Sequence, residues 1–149
     1  MGQQQLLLLV LSTVIVGLAT VAGIQAFSEN QAQASQDALT QRGISIASDV
    51  QGIYGKPRQM GGVDDFEKDV TDASALADRL GYEDGSSGGS YVDAEGAGAD
   101  GECQLSIEGT DTVDITCTST DSPQDVTVSF DGTVDEPIST SYGSGSGSK

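Results

Sequence analysis

From Leu6 to Ile24 the chain carries no charge, and nothing in that run is more polar than Ser12, Thr13 and Thr20. The first acid is Glu29 and the first base is Arg42. A run of this length reaches about 28 Å as a helix, close to the hydrocarbon thickness of a bilayer. It must therefore be met by lipid or by protein. No Lys or Arg precedes it, which argues against a cleaved secretion signal. No neighbouring cysteine is present to carry a lipid, and MGQQQL lacks the hydroxyl residue of a myristoylation signal.

The charge is partitioned as sharply as the hydropathy. The formal net charge is −17, from 23 acids and 6 bases. Residues 1–60 balance, with Glu29, Asp37 and Asp49 against Arg42, Lys56 and Arg58, so residues 61–149 hold all of it. The second part is built for water, and its acidity suggests a saline habitat. It repels phosphate backbones, so direct nucleic-acid binding is not expected. There is no histidine and only two cysteines. A Cys/His zinc set and a histidine-based triad are both ruled out, and no nucleophile stands in a recognisable motif, so enzymatic activity is not expected.

Nothing breaks a helix before Pro57. Leu39, Gly43, Ile46, Val50 and Ile53 are spaced 4, 3, 4 and 3, which marks one face of a helix, with Ala47 and Tyr54 beside it. One helix of roughly 75 Å is predicted from about Gln3 to Tyr54. It is apolar over 1–27 and amphipathic over 28–55, and the stripe packs on a head at 56–142. Gly55 and Lys56-Pro57 supply the stop. Phe66, Val70, Ala73, Ala77 and Leu80 predict a short helix, at its smallest Thr71–Leu80, with Asp64 and Asp65 suited to a start and Gly81 to an end. Residues 83–90 and 93–102 read as loops.

The final third alternates with period two. Residues 103–108, 112–118 and 125–131 each place their apolar side chains on one face, which predicts three strands. Residues 134–138 add an edge strand, where Pro137 is tolerated, and 143–149 read as a flexible Gly/Ser tail. The fold class is α+β, with a 3–4-stranded antiparallel sheet. A three-residue loop at Gly109–Asp111 sets Ile107 against Val113, Leu105 against Ile115 and Cys103 against Cys117, all on one face. A two-residue loop would invert one strand's faces. Opposed strand residues lie within disulfide range, so a Cys103–Cys117 bond is expected in an exported, oxidised domain.

Gly17, Thr20 and Gly23 recur at a spacing of three, which lets helices approach closely. With these residues in view, MGQQQLLLLVL…VGLA…GIQAFSENQ and QDALT…IASDVQGIYGKPRQMGG resemble the type IV pilin and pseudopilin superfamily, over residues 1–62. The head matches only in layout. The resemblance implies a subunit held first in the inner membrane, then stacked by a pilus assembly machinery with copies of itself into an extracellular filament on the bacterial surface. The implied interface comprises Leu6, Leu7, Leu8, Leu9, Val10, Leu11, Val14, Ile15, Val16, Gly17, Leu18, Val21, Gly23, Ile24 and Phe27. Usual pilins have a basic leader and a glutamate early in the mature helix. Here Gly2 is the sole candidate cleavage glycine, and Gln3, Gln4 and Gln5 stand where that acid would lie. The rival functions are a pseudopilin or minor subunit of a secretion system, and a monomeric membrane-anchored binding domain.

One acidic loop has a ligand-like pattern. Asp93, Glu95, Asp100 and Glu102 alternate with glycines, and calcium takes six to eight oxygens from such loops. Some pseudopilins bind calcium in their heads, which makes these four the candidate ligands. Solvated surface charge is the expected reading, and no cofactor is otherwise expected.

Overall fold

A computed structural model describes residues 2–144. The chain divides into two units, with the boundary after Ala32. Helix α1 (Gly2–Tyr54) supplies all of the first unit that is described and the opening of the second.

In the first unit three hydroxyl side chains of the apolar run bond to the helix itself. Ser12, Thr13 and Thr20 donate their hydroxyls to the carbonyls of Leu9, Val10 and Gly17, at 2.9, 2.9 and 2.8 Å. Each hydroxyl bonds back one turn, so none needs a solvent partner.

The second unit is an α+β head. Five strands form one antiparallel sheet in the order β1-β2-β3-β4-β5. They are β1 (Tyr91–Asp93), β2 (Glu102–Ile107), β3 (Thr112–Thr118), β4 (Gln124–Asp131) and β5 (Ile138–Ser144). Register follows the predicted hairpin: Ile107 faces Val113, Leu105 faces Ile115 and Cys103 faces Cys117. The Glu108 N–H donates to Thr112 O at 3.1 Å and closes the three-residue loop. Alternation gives the sheet one dry face, carrying Val92, Cys103, Leu105, Val113, Ile115, Cys117, Val126, Val128 and Phe130, all buried. The stripe of α1 joins the same core through Leu39, Ile46, Ala47, Val50 and Ile53.

Where one short helix is predicted, there are two. Helix α2 (Phe66–Asp69) is a single turn, and α3 spans Ala73–Leu80. Asp65 accepts from the Lys68 N–H at 3.1 Å and Asp72 from the Ala75 N–H at 2.9 Å. Each aspartate satisfies the free amides of a helix start. Between them Val70 is extended, with φ −125° and ψ 123°. Gly81 ends α3 in the left-handed region, at φ 81°.

Three strand expectations are corrected. Tyr91–Asp93 is a strand, and the loop predicted over 93–102 gives its two ends to β1 and β2, with Asp93 facing Glu102. With one buried residue, Val92, β1 is too short to show alternation. The last strand is Ile138–Ser144 rather than 134–138. Residues 132–137 turn instead: the Asp131 carboxylate accepts from the Thr133 N–H at 2.9 Å, and the Asp131 N–H donates to Pro137 O at 2.8 Å. Gly143 and Ser144, assigned to a tail at 143–149, belong to this strand; the rest of that predicted tail lies outside the described residues.

Candidate assembly surface

The predicted interface residues are all surface in the first unit. Leu6, Leu7, Leu8, Leu9, Val10, Leu11, Val14, Ile15, Val16, Leu18, Val21, Ile24 and Phe27 are between 51% and 72% exposed. They lie on every side of the helix, whereas an ordinary surface helix keeps its apolar residues to one stripe. Side chains added at Gly17 or Gly23 would meet nothing within 4 Å, so neither glycine is required by packing within the chain. Among the described residues α1 is the one helix long and apolar enough to cross a membrane. A shallow recess on its surface is lined by Gln3, Leu6, Leu7, Val10, Leu11 and Val14, which brings one of the N-terminal glutamines onto an apolar face.

The second unit has a complete core of its own. Leu39, Gly43, Ile46, Val50 and Ile53 are buried as the stripe predicts, and Tyr54 is half-buried. Gly43 is held by sterics: a Cβ there would stand 2.8 Å from Val128 Cγ2 and 3.3 Å from Cys117 Sγ. That Sγ belongs to the Cys103–Cys117 disulfide, whose Cα atoms are 3.9 Å apart. The glycine of the stripe thus lets the helix backbone settle on the sheet over the disulfide.

Two tethers join α1 to the head that no motif in the sequence announces. The first is an aromatic cluster. Tyr54 stacks on Phe66 at 5.7 Å and meets Phe130 edge-on at 5.4 Å. Its hydroxyl donates to Asp111 Oδ1 at 2.8 Å, and that bond, followed by burial, raises the Tyr54 pKa. The second tether is polar. The Tyr82 hydroxyl donates to the Asp49 carboxylate, and Arg42 lies 5.0 Å over the Tyr82 ring, a cation–π contact. Arg42 Nε also donates to Asp93 O at 3.2 Å. Burial, then the bond to Asp49, pushes the Tyr82 phenol up to about 12. The signals were single aromatics scattered through the chain, with no spacing to connect them.

The four candidate calcium ligands do not form one group, although Asp93 and Glu102 face each other across the β1–β2 ladder. Among the described residues no three Asp, Glu, Cys or His side chains form a group able to hold a metal. Three are engaged locally. Asp93 Oδ1 accepts from the Ser86 N–H at 3.4 Å, and Glu102 Oε2 from Ser87 Oγ at 2.5 Å. Asp100 accepts from the Thr120 N–H at 3.3 Å and from Ser119 Oγ at 3.4 Å. The hydrogen bonds from Thr120 hold the Asp100 carboxyl below its ordinary pKa. Glu95 is exposed.

These features define a class of protein: a disulfide-stapled α+β head whose leading helix continues from a bare apolar segment. No family model, curated protein or solved structure matches the chain.

Proposed function

We propose that this protein is the structural subunit of an extracellular, type IV pilus-like filament, anchored in the inner membrane before assembly and polymerised through its N-terminal helix. The observation that carries the proposal is the contrast along α1. Between Ser35 and Ile53 one face of the helix, Ser35, Leu39, Gly43, Ile46, Ala47, Val50 and Ile53, is buried in the head. Residues from Leu6 to Phe27 are apolar on all sides and bury nothing within the chain. A plain anchor needs only the second property. A filament subunit needs both, because the packed half presents a rigid head while the bare half fills the filament's centre. Lipid tails are as apolar as leucine, so exchanging lipid neighbours for protein neighbours costs little hydrophobic energy. The hydroxyls of Ser12, Thr13 and Thr20 are bonded back to the helix and so are not stranded in either setting.

Electron microscopy of material shed from the cell surface, with antibody against the head, tests the reading. Filaments carrying the antibody are the expected result. Recovery of the chain only from detergent-extracted membranes would overturn it. Val14→Asp places a carboxylate in the apolar segment at a cost of ~2.5–3.5 kcal/mol. Filaments should disappear in this variant while the head keeps its fold.

A further inference from the structure

The two edges of the sheet differ. On β1, the Tyr91 N–H donates to Gly88 O at 3.0 Å, and Tyr91 O accepts from the Gly85 N–H at 2.7 Å. Arg42 Nε donates to Asp93 O at 3.2 Å. A turn of the chain and an arginine thus cover the β1 edge. On the opposite side, among the described residues, β5 pairs with β4 alone. The bond from Asp131 N–H to Pro137 O sets the alternation of that ladder. Ser139, Ser141 and Gly143 turn their backbone groups to β4, and Ile138, Thr140 and Tyr142 turn theirs to the open edge.

The side chains of the same three residues are also undercovered. Ile138, Thr140 and Tyr142 face Phe130, Val128 and Val126 across the ladder and share their side of the sheet. The β4 partners are buried, whereas Tyr142 is 55% exposed. The β5 strand, ISTSYGS, has none of the devices that protect an edge: no charge, no internal proline and no bulge. Every other strand carries at least one acid: Asp93, Glu102, Asp114, Asp125 and Asp131.

We infer that β5 is a contact between copies of this chain, pairing antiparallel with β5 of a second copy to join two heads into one continuous sheet. Three observations select that occupant. With β1 covered, β5 is the edge left unpaired among the described residues. In a chain of net charge −17, β5 brings no carboxylate to a contact with its own copy. The strand is also self-complementary. With the twofold axis at Thr140, Thr140 faces its counterpart and Ile138 faces Tyr142 of the second copy. Each outward backbone group then gains a partner, and each exposed tyrosine gains a β-branched neighbour.

The geometry also says which copies meet. A twofold axis normal to the sheet reverses every direction lying in the sheet plane, including that of the α1 half packed on its face. Subunits within one filament of parallel helices share one polarity, so this contact joins subunits of separate filaments. That assignment rests on the filament reading; the pairing of β5 does not.

Hydrogen exchange on the full chain in detergent micelles, across a concentration series, tests the pairing. The Thr140 and Tyr142 amides should slow at least about tenfold as the chain associates, while Ser139 and Ser141 stay slow throughout. Thr140→Pro removes an outward N–H without touching the β4 ladder. Thr140→Glu keeps the backbone and sets two carboxylates opposite each other. Both should abolish the concentration dependence at Tyr142 and weaken association at least about tenfold, and T140E filaments should not bundle. Equal exchange of Tyr142 in monomers and associated chains overturns the inference, as does unchanged association or bundling of T140E. Protected β5 amides in detergent without any filaments would sink the filament reading and leave the pairing standing.

Discussion

Two glycines of α1, Gly43 on the apolar stripe and Gly52 off it, have opposite consequences. Gly43 sits where a methyl would press on Val128 and Cys117, and Gly52 sits where it would meet nothing within 4 Å. Replacing glycine with alanine inside a helix gains ~1 kcal/mol, and overpacking a core costs ~1–3 kcal/mol. Gly52→Ala should therefore stabilise the head by ~1 kcal/mol. Gly43→Ala should destabilise it by ~1 kcal/mol, since the clash exceeds the helix gain. Urea unfolding followed by circular dichroism measures both. Tyr82 makes a second residue-level prediction. Its folded pKa lies near 12, above the ordinary value of 10. The stability it contributes is fully present below pH 10 and is lost as pH rises to 12. Tyr82→Phe should shrink the loss of stability across that window, read as melting temperature against pH.

At the level of elements, the β2–β3 hairpin is the most legible part of the fold. Its register follows from a simple conflict: a loop one residue shorter or longer throws the apolar residues of one strand to the wrong face. The cysteines obey the same constraint, and they are bonded. Replacing both with serine opens a cross-link between residues 14 apart, and the loop-entropy estimate for that size is ~3 kcal/mol. The double variant should lose about that much in chemical unfolding and keep its α+β circular dichroism at low temperature. The elements harder to read were those with little apolar content. The three-residue β1 and the hydroxyl-rich β5 are strands because their neighbours supply a ladder, and their own residues do not alternate strongly enough to announce it. The split into α2 and α3 was legible in part. Asp65 marks a helix start in the sequence, whereas the second cap, Asp72, is hidden by an apolar spacing that runs through it.

For the whole molecule, charge is the dominant long-range term. Among the described residues the ion pairs are Arg58 with Asp64 and Asp69, and Lys68 with Asp65. The remaining acids mostly repel. Folding concentrates that repulsion, and salt screens it: the Debye length falls from about 10 Å at 0.1 M to about 3 Å at 1 M. The melting temperature of the head should rise between 0.1 M and 1 M sodium chloride. A flat or falling profile would show that local ion pairs outweigh the net charge. Sequence alone determined the partition of this protein into a segment that avoids water and a head that requires it, because hydropathy and charge are properties of composition. It also determined the helix stripe and the hairpin register, since both are periodicities that a single strand or helix imposes on itself. Only the tertiary structure decided which glycine is indispensable, that Tyr54, Phe66 and Phe130 form one cluster, that the four loop carboxylates do not converge, and which edge of the sheet stays open. Each of these depends on distances between residues far apart in the chain, and no local pattern encodes such a distance.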